Sequence, residues 1–124
     1  MENLNLAPSK FTPDVKFNAE TGILELQGSS YPDNSIEFYQ PLYDWIDTFI
    51  AEENKPLTFN FKITYFNTSS SKCLLKLLEI LEKYHNNKGT VEVNWFYKED
   101  DDDIYESGEE LFQDLTLTYN LKQY

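Results

Sequence analysis

The sequence is poor in the residues that build disulfides and zinc centres. It has one cysteine, Cys73, and one histidine, His85. A single cysteine cannot form an internal disulfide, and this pair cannot supply a zinc site of several His or Cys ligands. The same scarcity argues against a Cys–His catalytic pair. We therefore predict neither a metal nor a redox role for these two residues.

Glycines and long apolar runs are also scarce. The four glycines are scattered, so no Gly-rich phosphate loop for nucleotide hydrolysis is visible. No apolar run approaches the roughly 18 residues expected of a membrane span. Residues 1–10 lack the charged and apolar regions of a secretory signal. These features predict a cytoplasmic protein without membrane insertion or a cofactor.

Positive charge is limited to ten basic side chains against 22 acidic ones, which gives a formal net charge of −12. A chain so acidic is repelled by nucleic acids, so we predict no nucleic-acid partner. The 124 residues, 40% of them hydrophobic, suffice for one core. We predict a single domain over residues 1–124, with residues 1–10 as a candidate flexible N-terminal segment.

Strand and helix patterns indicate a mixed α/β fold. Residues 11–17 and 22–27 alternate like a β-hairpin, and residues 57–65 form the clearest alternating strand. A helix follows at about 70–85, and a strand at 91–95 completes a parallel βαβ unit. A short helix to about Asp114 and a strand through residues 115–121 end the chain. We expect a mixed sheet of about five strands. Because every strand is apolar only at alternate residues, the helices should lie mainly on one face of that sheet.

The first helical pattern contains a proline. Apolar residues from Ile36 to Phe49 have helical spacing, with Asn34 or Ser35 available as a cap. Pro41 would remove a hydrogen bond from the interior of such a helix. We therefore predict a short turn followed by a helix that starts near Gln40. The aromatic residues of this region include candidates for a docking patch, although most aromatic residues in small domains are core.

Four consecutive hydroxyl residues, Thr68 to Ser71, join the best strand to the best helix. Ser and Thr are preferred helix N-caps, but a cap uses only one hydroxyl. A helix N-terminus also stabilises added negative charge, so a phosphate is well placed there. From these residues alone, a helix cap and a phosphorylation switch both remain open.

The acidic run Glu99–Asp103 suggests a metal site. Its spacing lacks the alternating ligands and the glycine of a calcium loop. A solvated loop that leads into a helix N-terminus is the better interpretation. We predict no metal ligand and no catalytic residue here.

Several stretches resemble one known family. They are Pro32, Asn34, Pro41 and Trp45, the segment Phe66–Lys72, the strand Trp95–Tyr97 with its Asp-rich continuation, and Ser107–Glu110. Together they resemble the SiaC-type bacterial phosphoproteins, which are distantly similar to the STAS-domain antagonists of anti-sigma factors. The resemblance covers nearly the whole chain and implies a STAS-like domain that is not an enzyme.

The resemblance also implies a function for the hydroxyl segment. Thr68 would be phosphorylated by a partner protein kinase and dephosphorylated by a phosphatase, while Asn67, Ser69, Ser70, Ser71 and Lys72 would shape the phosphosite loop. The unphosphorylated form would bind an effector, in the characterised system a diguanylate cyclase, and so regulate cyclic di-GMP and biofilm formation.

Three alternatives to this function remain open. The same switch could act on an anti-sigma kinase, as it does in anti-sigma-factor antagonists. The acidic C-terminal segment could serve a small metal-dependent enzyme or ligand-binding protein. The chain could also be a structural protein without a switch.

Overall fold

Nine elements follow one another in the computed structural model, which describes residues 1–124. They are β1 (Leu4–Leu6), β2 (Asp14–Asn18), β3 (Ile23–Ser30), α1 (Ser35–Glu52), β4 (Leu57–Phe66), α2 (Thr68–Asn86), β5 (Val91–Tyr97), α3 (Asp102–Phe112) and β6 (Tyr119–Gln123). The six strands form one sheet in the order β1-β2-β3-β4-β5-β6. Pairing is antiparallel from β1 to β3 and parallel from β3 to β6.

This architecture confirms the predicted mixed α/β class but corrects the number of strands. The sixth strand is β1, which pairs with β2 inside the ten residues predicted to be flexible. The indole N–H of Trp45 on α1 also donates to the carbonyl of Glu2 at 2.9 Å. Three residues are too few for a periodic signal, so the sequence pattern could not reveal this strand.

The core lies between the sheet and the helices. Alternate residues of β4, from Leu57 to Ile63, are buried there. The alternation then breaks, because Gly28 pairs with Ile63 whereas Ser29 pairs with Tyr65, which leaves Thr64 unpaired as a bulge. Tyr65, predicted on the apolar side, is consequently 54% exposed.

The opposite face of the sheet is polar. Asn94 on β5 is hydrogen-bonded to Asn60 on β4 at 2.9 Å and to Asn120 on β6 at 3.0 Å. Lys62 on the same face forms an ion pair with Glu25 at 3.0 Å. No helix is long and apolar enough to span a membrane.

Helix α1 corrects the prediction made from Pro41. The helix runs unbroken from Ser35 to Glu52, with the side chain of Asn34 as its N-cap, and it contains Pro41. The missing N–H of Pro41 would have bonded to the carbonyl of Glu37, and both residues are exposed. Water can therefore bond to that carbonyl, while the buried side chains of α1 hold the helix against the sheet.

Replacing Pro41 with Ala should stabilise the protein. Proline costs about 3 kcal/mol relative to alanine inside a helix, and its restriction of the unfolded chain returns up to about 1 kcal/mol. We expect the free energy of unfolding to rise by about 1–2 kcal/mol in urea titrations. If the helix began at Gln40, Pro41 would occupy its favourable first turn and the replacement would lower stability instead.

Helix α3 packs tightly on β5 through a glycine. The indole N–H of Trp95 donates to the carbonyl of Ile104 at 2.9 Å. A Cβ at Gly108 would lie 2.6 Å from the ring of Trp95. The close approach explains the glycine in the Ser107–Glu110 segment. After α3, the last strand begins only at Tyr119, later than the alternation from Leu115 predicted.

Gly108→Ala should destabilise the protein although alanine is the better helix former. We expect a loss of about 1–3 kcal/mol in the free energy of unfolding, because Trp95 is fully buried and cannot move aside. Glu109→Ala is the matched control on the exposed neighbouring residue and should change stability by less than about 0.5 kcal/mol. A stabilised Gly108→Ala protein would contradict the packing described.

Candidate functional site

The hydroxyl segment lies where β4 ends and α2 begins. Helix α2 starts at Thr68, two residues earlier than predicted, so Thr68 and Ser69 belong to its first turn. The N-cap is Asn67, whose side-chain oxygen accepts the N–H of Ser70 at 2.9 Å. Because an asparagine caps the helix, no hydroxyl of the segment is needed for that purpose.

The four hydroxyl residues have different environments. Thr68 and Ser69 are exposed, Ser70 is 0% exposed, and Ser71 is half-buried beside the groove between α2 and α3. Lys72, in the next position, is exposed. Two hydroxyls, those of Thr68 and Ser69, are therefore open to an approaching enzyme.

A buried chain of hydroxyls supports the first turn of α2. The Ser30 hydroxyl at the end of β3 donates to the Ser70 hydroxyl at 2.8 Å and lies 2.7 Å from the hydroxyl of Tyr39 on α1. All three residues are 0% exposed. Since Ser30 uses its proton toward Ser70, Tyr39 is the donor of the other bond. Burial raises the pKa of Tyr39 above its ordinary value, which keeps this donor protonated.

A second bond joins the same two helices. The hydroxyl of Tyr43 on α1 donates to the carbonyl of Cys73 on α2 at 2.7 Å. Burial also raises the pKa of Tyr43. The N-terminal halves of α1 and α2 are thus held together by two tyrosine hydrogen bonds, one through Ser30 and one direct.

Removing the Ser70 hydroxyl should destabilise the protein. In Ser70→Ala the buried proton of Ser30 loses its acceptor, which costs about 1–3 kcal/mol. Ser69→Ala, one residue away and exposed, should change stability by less than about 0.5 kcal/mol. Chemical denaturation of both variants measures the difference, and equal stabilities would show that the buried chain contributes nothing.

A groove of about 440 Å³ separates the N-terminal ends of α1 and α2. Its lining residues come in equal number from the two ends: Asp33, Asn34, Ser35, Ile36, Thr68, Ser69, Lys72 and Cys73. Each helix N-terminus presents backbone N–H groups that have no partner within the helix. Thr68 therefore lies between two sources of positive electrostatic potential.

Exposed apolar side chains lie near this groove. Ile36 in the groove wall is 70% exposed. Near the end of β4, the ring of Tyr65 packs on Tyr31 at 5.6 Å, and Tyr31 packs on Phe11 at 5.3 Å. We call these three rings the aromatic row. Helical periodicity could not reveal the row, because it depends on the bulge in β4 and on the loop before β2.

The acidic run has a structural role at α3. Asp101 is the N-cap of α3 and accepts the N–H of Ile104 at 3.1 Å, while Asp102 and Asp103 lie in the first turn. Negative charge at this end of a helix is stabilising. No group of three or more His, Cys, Asp or Glu side chains is placed to hold a metal ion.

The fold and this segment together define a small α/β domain with two exposed hydroxyls in the first turn of its central helix. The chain belongs to the SiaC family, since residues 6–124 match the family described as SiaC family regulatory phosphoprotein. It is 30% identical over 122 residues to an uncharacterised protein of Pseudomonas aeruginosa strain UCBPP-PA14, covering 98% of this chain and 97% of the relative.

Solved structures of SiaC from Pseudomonas aeruginosa have the same fold. The apo-SiaC crystal structure matches with a TM-score of 0.91 at 31% identity, covering 98% of this chain and 99% of that chain. The crystal structure of the diguanylate cyclase SiaD in complex with its activator SiaC matches with a TM-score of 0.93 at 30% identity and the same coverage. The comparisons confirm the family inferred from the sequence.

Proposed function

We propose that this chain is a signalling adaptor switched by phosphorylation of Thr68. A protein kinase adds the phosphate and a phosphatase removes it. The unphosphorylated form binds and regulates an effector protein. The adaptor is not itself an enzyme, and its cycle takes place in the cytoplasm, where the free thiol of Cys73 stays reduced.

The exposure of Thr68 in the first turn of α2 carries this proposal. Of the four hydroxyls, only those of Thr68 and Ser69 are exposed, and Thr68 also follows the capping residue directly. Ser70 is fully buried, and its hydroxyl accepts a hydrogen bond from Ser30. The geometry therefore supports Thr68 as the acceptor, with Ser69 as its nearest competitor.

The switch acts through local charge. Phosphorylation adds about −1.5 to −2 charges at one point of the surface. Ile36, which lines the same groove as Thr68, and the aromatic row, whose Tyr65 precedes Thr68 by three residues, offer apolar area to a partner. A partner that covers Thr68 would have to bury or repel the added charge, which costs binding free energy without any refolding of the adaptor.

A diguanylate cyclase is the effector that the comparison favours. The matched SiaC is described as the activator of the diguanylate cyclase SiaD and lies in complex with it. This chain matches that SiaC over 98% of its own length. We therefore assign the same class of effector here, with cyclic di-GMP and biofilm regulation as the consequence.

Phosphothreonine placed at position 68 by genetic-code expansion should weaken binding to a diguanylate cyclase of the same organism at least about tenfold. Phosphoserine at position 107, on α3 and outside the lining of the groove, is the control, because it adds the same charge elsewhere and should leave the affinity unchanged. Calorimetry measures both affinities, and cyclase turnover provides a second readout. Thr68→Ala should bind as the unmodified chain does.

Two results would contradict the proposal. One is an affinity that phosphothreonine at position 68 leaves unchanged. The other is a Thr68→Ala protein, isolated from the native organism, in which mass spectrometry still detects the phosphate.

A further inference from the structure

The groove between α1 and α2 contains a hydroxyl that has no hydrogen-bond partner. Ser35, the first residue of α1, lines the groove and is 5% exposed. Its Oγ atom is shut off from solvent, and no protein group bonds to it. A buried polar group without a partner is rare and costs free energy that an incoming acceptor would recover.

Four backbone N–H groups without a partner in their helices belong to residues that line the same groove. The cap residues Asn34 and Asn67 bond to the N–H groups of Glu37 and Ser70. The N–H groups of the first two residues of each helix, Ser35 and Ile36 in α1 and Thr68 and Ser69 in α2, have no acceptor within their helices. Lys72 adds a positive side chain to the lining of the groove. Such an array of donors suits a phosphate group.

We propose that the phosphate on Thr68 binds within its own chain, between the N-termini of α1 and α2, where Lys72 and the Ser35 hydroxyl bind its oxygens once the Ser35 side chain rotates about χ1 into the groove. This inference rests on the proposed function, because it takes the phosphate to be on Thr68. The bound phosphate occupies part of the groove and links the two helices. The effector then meets a doubly charged groove beside Ile36 in place of an uncharged one.

Two carboxylates near the groove oppose a bound phosphate. Asp33 lines the groove, and Glu37 lies in the first turn of α1, where it accepts from Asn34 at 3.2 Å. Their carboxylates oppose a phosphate dianion, and the hydroxyl, the N–H groups and Lys72 favour it. Removing a donor and removing a carboxylate should therefore shift the phosphate pKa in opposite directions.

The test is a phosphorus NMR titration of the full chain carrying phosphothreonine at position 68. Ser35→Ala should raise the second pKa of the phosphate by about one, a roughly tenfold weaker preference for the dianion. Asp33→Asn should lower that pKa. Ser107→Ala, on α3 and outside the lining of this groove, is the matched control and should leave it unchanged. Ser35→Ala removes an unpaired hydroxyl, so the variant should fold as well as the native chain.

A second measurement separates binding of the phosphate from a general effect on the fold. Phosphorylation should raise the thermal unfolding midpoint of the Ser107→Ala protein, and Ser35→Ala should make that rise smaller, because the N–H groups and Lys72 remain. Equal phosphate pKa values in Ser35→Ala and Ser107→Ala would overturn the inference, even if phosphorylation blocked the effector. Conversely, the predicted pKa shifts with unchanged effector binding would support the phosphate site and contradict the proposed function.

Discussion

The buried hydrogen-bond chain from Tyr39 through Ser30 to Ser70 joins three elements at one point. It connects α1, the end of β3 and the first turn of α2, all out of contact with water. In such an environment each hydroxyl needs its partner, so the relative positions of the three elements are closely constrained. The exposed residues Thr68 and Ser69 immediately precede Ser70 in the first turn of α2. The hydrogen-bond chain therefore fixes the position in which their hydroxyls are exposed to solvent.

The same constraint brings two helix N-termini together. Parallel pairing of β3 with β4 places the ends of both strands at one edge of the sheet, and each strand is followed by a helix that starts there. Asparagine caps both helices, at Asn34 and Asn67. Helix N-termini attract negative charge. In a chain whose net charge is −12, this edge of the sheet therefore favours a phosphate more than the acidic surface elsewhere does.

Local patterns predicted the strong elements well. The alternation of β4 and β5 and the apolar stripe of α2 indicated a parallel βαβ unit, which the structure contains. The errors have physical causes. Pro41 was predicted to exclude a continuous helix, but tertiary burial of α1 outweighs one lost hydrogen bond on an exposed side. The strand β1 is too short to have a period, and the bulge at Thr64 changes which residues are exposed.

By itself the sequence determined the α/β class, the acidic charge that disfavours nucleic acids, and the hydroxyl segment with Thr68, because these depend on composition, short-range periodicity and a motif. Only the tertiary structure decided which hydroxyls are accessible and that Ser35 lies across a groove from Thr68. Those facts depend on contacts between residues some thirty positions apart. Side chains so distant meet only after the sheet has aligned the two helices, and no local pattern records that alignment.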